Sequence, residues 1–218
     1  IRRPPRSTRK ESSAASDVYK RQLNKTIIAG TILLLVLLLI MFKAYDLSFD
    51  LVFWQTIFRY LHVVVGVMWI GLLWYFNFVQ IHNMTNIPDE QKPAIGKVIA
   101  PAALFWFRWA ALATVITGLI TLALYYGHSG AINALILTIP NFNDPRALTI
   151  GIGMWLALIM AYNVWMVIWP NQKRALGIVE AEPEVKAKSA RTAMLFSRTN
   201  TMLSIPMLLA MVAAQNLA

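Results

Sequence analysis

Five apolar runs, each long enough to cross a lipid bilayer, constrain this chain more than any other feature. A membrane-spanning helix needs about 20 apolar residues to cross roughly 30 Å of hydrocarbon. The runs cover residues 26–42, 52–80, 102–126, 148–169 and 201–217. Inside a bilayer the backbone must satisfy its own hydrogen bonds, and long continuous apolar runs do so as helices. The sequence therefore predicts an all-α fold, an integral membrane helical bundle of about five transmembrane helices.

Composition excludes several kinds of chemistry. The chain has no cysteine, which excludes thiolate-held iron–sulfur clusters, covalent c-type haem and disulfides. None of the five runs contains Asp or Glu, which argues against a proton or cation pump that works through carboxylates. The sequence also contains no phosphate-binding loop and no dinucleotide-binding glycine motif.

The first 22 residues differ in character from the rest. They are polar, basic and Ser-rich, and we interpret residues 1–22 as linker-derived sequence, with a disordered basic tail that binds anionic lipid as the alternative. Residues 23–218 then form the transmembrane domain. The segment holds seven Lys or Arg against two acids, so it carries about half of the formal charge of +10. Without it the high pI no longer indicates a nucleic-acid partner, and we expect none.

The basic residues between the runs predict an orientation. If the helices alternate in direction, one side receives Lys25, the 81–100 connection and a long 170–200 loop, whereas the other receives Lys43 and Arg146. Loops rich in Lys and Arg stay in the cytoplasm. We therefore expect a bacterial inner-membrane protein with a cytoplasmic N-terminus and a periplasmic C-terminus. The long loop is predicted to hold a short helix on the cytoplasmic surface.

The second run carries two ionisable residues one helical turn apart. Arg59 and His62 share a face that continues to Gly66 and Trp69. Ionisable residues inside a membrane indicate function by default. His62 is a candidate metal ligand for haem b, with Gly66 leaving room for the porphyrin and Arg59 pairing with a propionate. The alternative is that His62 only bonds a neighbouring helix while Arg59 reaches the headgroups.

A six-coordinate haem needs a second axial ligand. His82 lies 20 residues beyond His62, about 30 Å along a continuous helix, so the two cannot share an iron. His128, on the same predicted outer side as His62, is the other histidine that could reach the haem. A methionine is also suitable, and the chain has ten. The second ligand stays open at this stage.

Amide and guanidinium side chains gather at the predicted cytoplasmic side. They come from four of the predicted helices and share one depth: Asn77, Gln80, Arg108, Asn163, Asn171, Gln172, Lys173, Arg198 and Asn200. Such a set without carboxylates suits a planar, anionic, hydrogen-bonding ligand. The alternative is that these residues only link helices, cap them or reach the headgroups.

Four segments carry a resemblance to a known family. They are "RYLHVVVGVMWIGLLWYFNFVQ", "WFRWAALATVITGL", "NVWMVIWPNQK" and "SRTNTMLSIPML". In this order they resemble the N-terminal membrane domain of bacterial membrane-bound urate oxidase (urate hydroxylase), from about residue 52 to the end. The "LH…WIG" part is also similar to other small haem-binding membrane families, including a protoporphyrinogen-oxidase type.

The resemblance implies oxidation of urate to 5-hydroxyisourate, with electrons passed through haem b to a cytochrome c. It implies that Arg108, Asn163, Asn171 and Arg198 hold urate, with one amide orienting the attacking water. Fuller members of the family add a cytochrome c domain, so we expect either a truncated chain or a separate cytochrome partner. Two alternatives stay open, a non-catalytic membrane anchor or assembly subunit that docks a cytochrome, and a purine transporter.

Overall fold

The computed structural model describes residues 6–138 and 144–217, and within these ranges it contains helices and no strand. The α-helices are α1 (Arg6–Ala44), α2 (Leu51–Trp74), α3 (Ile81–Asn83), α4 (Lys92–Ala94), α5 (Ala100–Leu135), α6 (Pro145–Tyr162), α7 (Trp169–Ala175) and α8 (Pro183–Asn216). Three π-helical segments, Tyr75–Gln80, Ile95–Ile99 and Asn163–Ile168, and the 3₁₀ turn Met84–Asn86 join some of them. The predicted all-α fold is confirmed.

Five helical stretches are long and apolar enough to cross a membrane. They are Asp17–Ala44, Leu51–Asn86, Lys92–Leu135, Pro145–Ala175 and Pro183–Asn216. Their number agrees with the prediction from the apolar runs. Each is longer than the corresponding run, because the helices continue into polar sequence at their ends. Large apolar side chains such as Leu33, Leu39 and Leu209 are mostly exposed, as lipid-facing positions require.

The predicted 170–200 loop is wrong. The connection between α7 and α8 covers only residues 176–182, and Gly177 adopts a positive φ of 72° just after α7, as residues that end helices often do. Pro183 starts α8 in the first turn, where its missing N–H costs nothing. The following residues, "EVKAKSARTAMLF", are mostly good helix formers, so the helix continues into the fifth run. The predicted short surface helix is the first part of α8.

The chain divides into two compact units, residues 1–53 and 54–218. In the first unit, Phe42, Phe49 and Phe53 form an aromatic cluster with ring centroids 5.1–5.3 Å apart. Asp50 precedes α2, and its side chain accepts a hydrogen bond of 3.0 Å from the Phe53 backbone N–H. That bond, with a second from Ser48, lowers the pKa of the Asp50 carboxyl. Asp50 thus caps the start of α2 as an ionised side chain.

In the second unit the helices pack around an apolar core. Its fully buried members include Trp69, Leu73, Phe107, Met160 and Val164. Small residues bring α6 close to its neighbours: a Cβ atom added at Gly153 would lie 3.1 Å from the Cβ of Ala210 on α8. At Gly151 an added Cβ would overlap the backbone carbonyl oxygen of Ala134 on α5. Close helix approach at glycine is a common packing mode in membranes.

Replacement of Gly151 by alanine is therefore expected to destabilise the second unit. The neighbour is backbone and cannot rotate away, so α5 and α6 must separate, at a cost of about 1–3 kcal/mol or more. The unfolding midpoint of the detergent-solubilised protein measures the effect. Gly71→Ala is the matched control, because a Cβ at Gly71 meets no described atom within 4 Å. Equal midpoints for the two variants would contradict the packing of α5 on α6.

Candidate functional site

His62 is held by α5 through one ring nitrogen. Its Nδ1 lies 3.0 Å from the carbonyl oxygen of Thr114 and 3.3 Å from Oγ1 of Thr117. A carbonyl can only accept, so Nδ1 carries the hydrogen and donates, and in the neutral imidazole Nε2 is then unprotonated. Nε2 has no hydrogen-bond partner among the residues described. A carbonyl on one ring nitrogen and a free lone pair on the other is the arrangement that metal-binding histidines use.

The glycine that accommodates His62 is Gly118, on α5. A Cβ added at Gly118 would lie 2.8 Å from Cε1 of His62, closer than real Cβ contacts. At Gly66, the glycine singled out from the sequence, the nearest atom would be Cγ2 of Thr114 at 3.9 Å, an ordinary contact. Gly118 could not be predicted as the neighbour of His62, because the contact crosses from one helix to another. No spacing within α2 could have indicated it.

Gly118→Ala is expected to displace the His62 ring and to lower the unfolding midpoint, whereas Gly66→Ala is tolerated. The physical reason is the 2.8 Å approach, which forces the ring to shift and so strains its bond to Thr114. The test compares unfolding midpoints of both variants in wild-type and His62→Ala backgrounds. The His62→Ala background should abolish the penalty of Gly118→Ala. A penalty that is the same in both backgrounds would contradict this packing.

The other residues of the predicted haem face take different positions. The guanidinium carbon of Arg59 lies 4.1 Å from the centroid of the Tyr125 ring, and its Nε is buried without a partner in the described part of the chain. Arg59 thus packs on α5. Trp69 is completely buried in the core, away from any open face.

His128 lies apart from His62. Gly127, with a φ of 63°, interrupts α5, and His128 follows this break. It lines a cavity of about 220 Å³ with Leu119, Leu122, Ala131, Ile132, Leu135 and Met154. The His62 ring meets α5 at Thr114 and Gly118, and His128 lies ten residues beyond Gly118, about 15 Å along a continuous helix. The structure therefore does not bring the two together as a pair of axial ligands.

Arg108 is the most deeply placed cation of the second unit. Its side chain is buried with 9% of its surface exposed, and its guanidinium carbon lies 3.3 Å from the centroid of the Trp169 ring. Nη1 of Arg108 is buried and has no hydrogen-bond partner among the residues that the structure describes. Lys173 lies 5.7 Å from the same Trp169 ring. The site presents positive charge with hydrogen-bonding capacity still available.

A π-helical segment follows α2 and carries Asn77, whose side-chain amide faces α8. Within Tyr75–Gln80, Asn77 donates 2.8 Å to Oγ of Ser197 and 2.9 Å to the backbone oxygen of Leu73. The ring of the preceding Phe76 packs edge-on against Phe107, the neighbour of Arg108, with centroids 5.7 Å apart. Oδ1 of Asn77 is buried without a partner in the described ranges. The segment therefore lies at the depth of Arg108.

A second π-helical segment, Asn163–Ile168, begins at the amide that the sequence singled out. Asn163 donates 2.8 Å to Oδ1 of Asn200, and Asn200 donates 2.9 Å to the Met160 backbone oxygen. Asn200 is completely buried. The pair fixes the position of Asn163 between α6 and α8. Such π-helical turns occur often at functional sites.

Asn171 bonds within its own helix, whereas Arg198 is directed away from the other candidate residues. Nδ2 of Asn171 donates 2.8 Å to the backbone oxygen of Val167, so its donor is used within its own helix. Arg198 is exposed on α8, while Asn200, two residues further along, is completely buried. Two residues turn a helix by about 200°, which directs Arg198 away from the core. The structure thus does not bring Arg198 to Arg108 and Asn163.

Comparison with known proteins gives one result. Residues 130–216, about two fifths of the chain, match the family model described as urate oxidase N-terminal. The resemblance is confirmed over this range, which holds the segments "NVWMVIWPNQK" and "SRTNTMLSIPML" with Asn163, Asn171 and Arg198. The matched range does not include Arg108 or His62. Searches among curated proteins and among solved structures gave no match.

Proposed function

We propose that this chain is the membrane-embedded part of an oxidoreductase that oxidises urate to 5-hydroxyisourate. The observation that carries the proposal is Arg108, a buried guanidinium stacked on Trp169 with one nitrogen unpaired among the described residues. A buried cation is unfavourable unless an anion satisfies it. Urate is a planar anion at neutral pH, and the match of residues 130–216 suggests a urate-related role.

In this proposal Arg108 pairs with oxygen atoms of urate. Guanidinium and a delocalised oxyanion form short, charge-assisted hydrogen bonds, and the planar fork also orients the ligand. Asn163, held by Asn200, and Asn171 supply amide groups at the same depth, and one of them orients the attacking water. Arg198 is left out of the proposed site because its side chain is exposed.

The reaction balances as a two-electron oxidation with water. Urate and one water give 5-hydroxyisourate, two protons and two electrons; a C–O bond forms at C5 of the purine. The two electrons leave one at a time, and each reduces one cytochrome c haem from the ferric to the ferrous state. Because the chain has no cysteine, the covalent haem of that cytochrome belongs to another polypeptide or another domain. The site contributes binding, orientation and charge stabilisation.

The residues around His62 would offer haem b a nitrogen ligand and a cation. Nδ1 is occupied by Thr114, the Nε2 lone pair is available, and Arg59 keeps a buried Nε without a partner in the residues described. His62 would ligate the iron and Arg59 would pair with a propionate. A haem b bound there supplies one-electron transfer toward the cytochrome.

We also propose that the Arg108 end of the second unit faces the bacterial cytoplasm. Basic residues crowd that end of the helices, namely Lys92, Lys97, Lys173, Arg174, Lys186 and Lys188, whereas the start of α6, at the opposite end, carries Arg146. The positive-inside rule then assigns the His62 end and the end of α8 to the periplasmic side. A periplasmic cytochrome c would meet the chain there.

Urate-dependent reduction of added cytochrome c by the detergent-purified, haem-supplemented chain tests the proposal. In detergent both ends of the protein are accessible to urate and cytochrome c, so its orientation in a membrane does not affect the assay. Reduction that requires urate supports the oxidoreductase. Binding of cytochrome c without urate-dependent reduction would overturn the catalytic proposal in favour of an anchor or assembly subunit. Urate uptake into vesicles without oxidation would overturn it in favour of a transporter.

A further inference from the structure

Two side chains on the helix that faces Arg108 have no role in the proposed site as described so far. Nε1 of Trp165 and Oε1 of Gln172 are both buried without a partner in the ranges that the structure describes. We infer that Trp165 and Gln172 form one recognition surface with Arg108, and that this surface distinguishes a planar anion with its own N–H groups from other anions. The inference rests on the proposed function and specifies how its substrate is recognised.

The contacts between two helices place these groups together. Trp165, Trp169 and Gln172 are spaced four and three residues apart, so they lie on one side of the continuous helix from Asn163 to Ala175. Two consecutive residues of α5 contact this side. Arg108 stacks on Trp169 at 3.3 Å, and Trp109 packs edge-on against Trp165 with ring centroids 5.6 Å apart.

The chemistry of the unpaired atoms defines the ligand class. Arg108 and Trp165 offer N–H donors, whereas Gln172 offers a carbonyl acceptor. A ligand that satisfies all three must accept hydrogen bonds, carry negative charge and also donate an N–H. Phosphate, sulfate and simple carboxylates in their ionised forms accept but do not donate. An anionic, oxidised purine does both, and its flat ring suits a site walled by indoles.

Gln172 is the residue that sets this specificity. An acceptor that stays buried without a donor costs free energy, so a ligand lacking the matching N–H binds less well. Methylation of the urate nitrogen that faces Oε1 of Gln172 removes the N–H and adds bulk. One of the four N-monomethylurates should therefore bind the wild-type protein more weakly than urate does, by about tenfold or more.

Equilibrium binding of urate and the four N-monomethylurates to the detergent-purified chain tests the inference. Trp165→Phe keeps the ring but removes the N–H, and we expect urate affinity to fall about tenfold. Gln172→Met removes the acceptor at similar volume, and the discrimination against the sensitive methylurate should shrink by about the same factor. Trp74→Phe is the matched control, because the Trp74 N–H is already bonded to Ser204 at 3.0 Å. It should leave urate affinity unchanged.

The outcomes separate this inference from the proposed function. If the wild-type protein binds urate and both variants keep its affinity and its methylurate preferences, the recognition surface is refuted while the urate proposal stands. If the wild-type protein does not bind urate, the proposed function itself fails and the inference fails with it. Should Gln172→Met not fold, Gln172→Glu keeps the size and sets a carboxylate against the anion. Undiminished urate binding by that variant would refute the inference.

Discussion

Arg108→Ala reduces urate-dependent reduction of cytochrome c to about one hundredth of the wild-type rate or less. The guanidinium is the buried cation that the urate anion pairs with, and two charge-assisted hydrogen bonds are worth at least about 3 kcal/mol together. Each 1.36 kcal/mol in the barrier is a factor of ten in rate. Arg108→Ala also removes the guanidinium that covers one face of the Trp169 ring. Initial rates with saturating cytochrome c measure the effect.

The control for this variant is Arg191→Ala. Arg191 is exposed near the start of α8, so its loss removes the same formal charge without touching the site. Arg108→Lys adds a second comparison, since it retains the charge but loses the planar fork and should recover only part of the rate. An Arg108→Ala protein that folds and still reduces cytochrome c at the wild-type rate would remove urate from the Arg108 site.

His62→Ala should eliminate the b-type signal from the reduced-minus-oxidised absorption spectrum of the haem-supplemented protein. His62 is the described histidine whose ring is oriented by a backbone carbonyl, through its 3.0 Å bond to Thr114, and loss of an axial imidazole removes the iron ligand. The same spectrum should survive in Arg108→Ala, because Arg108 lies six residues, about 9 Å along α5, before the Thr114 carbonyl that holds His62. Electron transfer to cytochrome c should fall in both variants.

His82→Ala is the matched control for the spectrum. His82 is exposed in α3, and its replacement should leave a b-type signal of full amplitude. A signal that persists in His62→Ala would show that residues other than His62 hold the haem. A folded wild-type preparation without any haem signal would contradict the haem proposal and favour the anchor or assembly subunit.

Hydropathy predicted the helices well and their ends poorly. The apolar runs identify all five long helices, because burial in lipid dictates their composition. Hydropathy predicts a loop at 170–200, whereas the first half of α8 lies in this segment. These residues are not predominantly apolar, and they form a helix because of their helix propensity. A hydropathy signal ends where the lipid ends, whereas a helix ends where a residue such as Gly177 stops it.

The depth of each candidate residue in the membrane could be predicted, but the direction in which its side chain points could not. Asn163 and Asn200 were expected at one level, and they bond each other at 2.8 Å. Arg198 shares that level but is exposed, because two residues rotate a helix by more than half a turn. The π-helical segments also rotate the residues that follow them about the helix axis, and no local sequence pattern predicts this rotation. For this reason the sequence alone did not predict Trp165 as a site residue.

Contacts across helices were equally beyond reach. The spacing along α2 predicts Gly66 as the glycine that makes room beside His62. The His62 ring instead packs against Gly118 of α5. Which helices become neighbours, and at which register, depends on the packing of the whole unit. A single sequence carries that information only through the sum of its side-chain volumes.

The most direct test of the central claim is equilibrium dialysis of radiolabelled urate against the detergent-purified chain, with Arg108→Ala and Arg191→Ala in parallel. The account predicts saturable urate binding to the wild-type and Arg191→Ala proteins and a loss of at least about a hundredfold in affinity for Arg108→Ala. Absence of saturable binding to the folded wild-type protein, or equal affinity in Arg108→Ala, would contradict it.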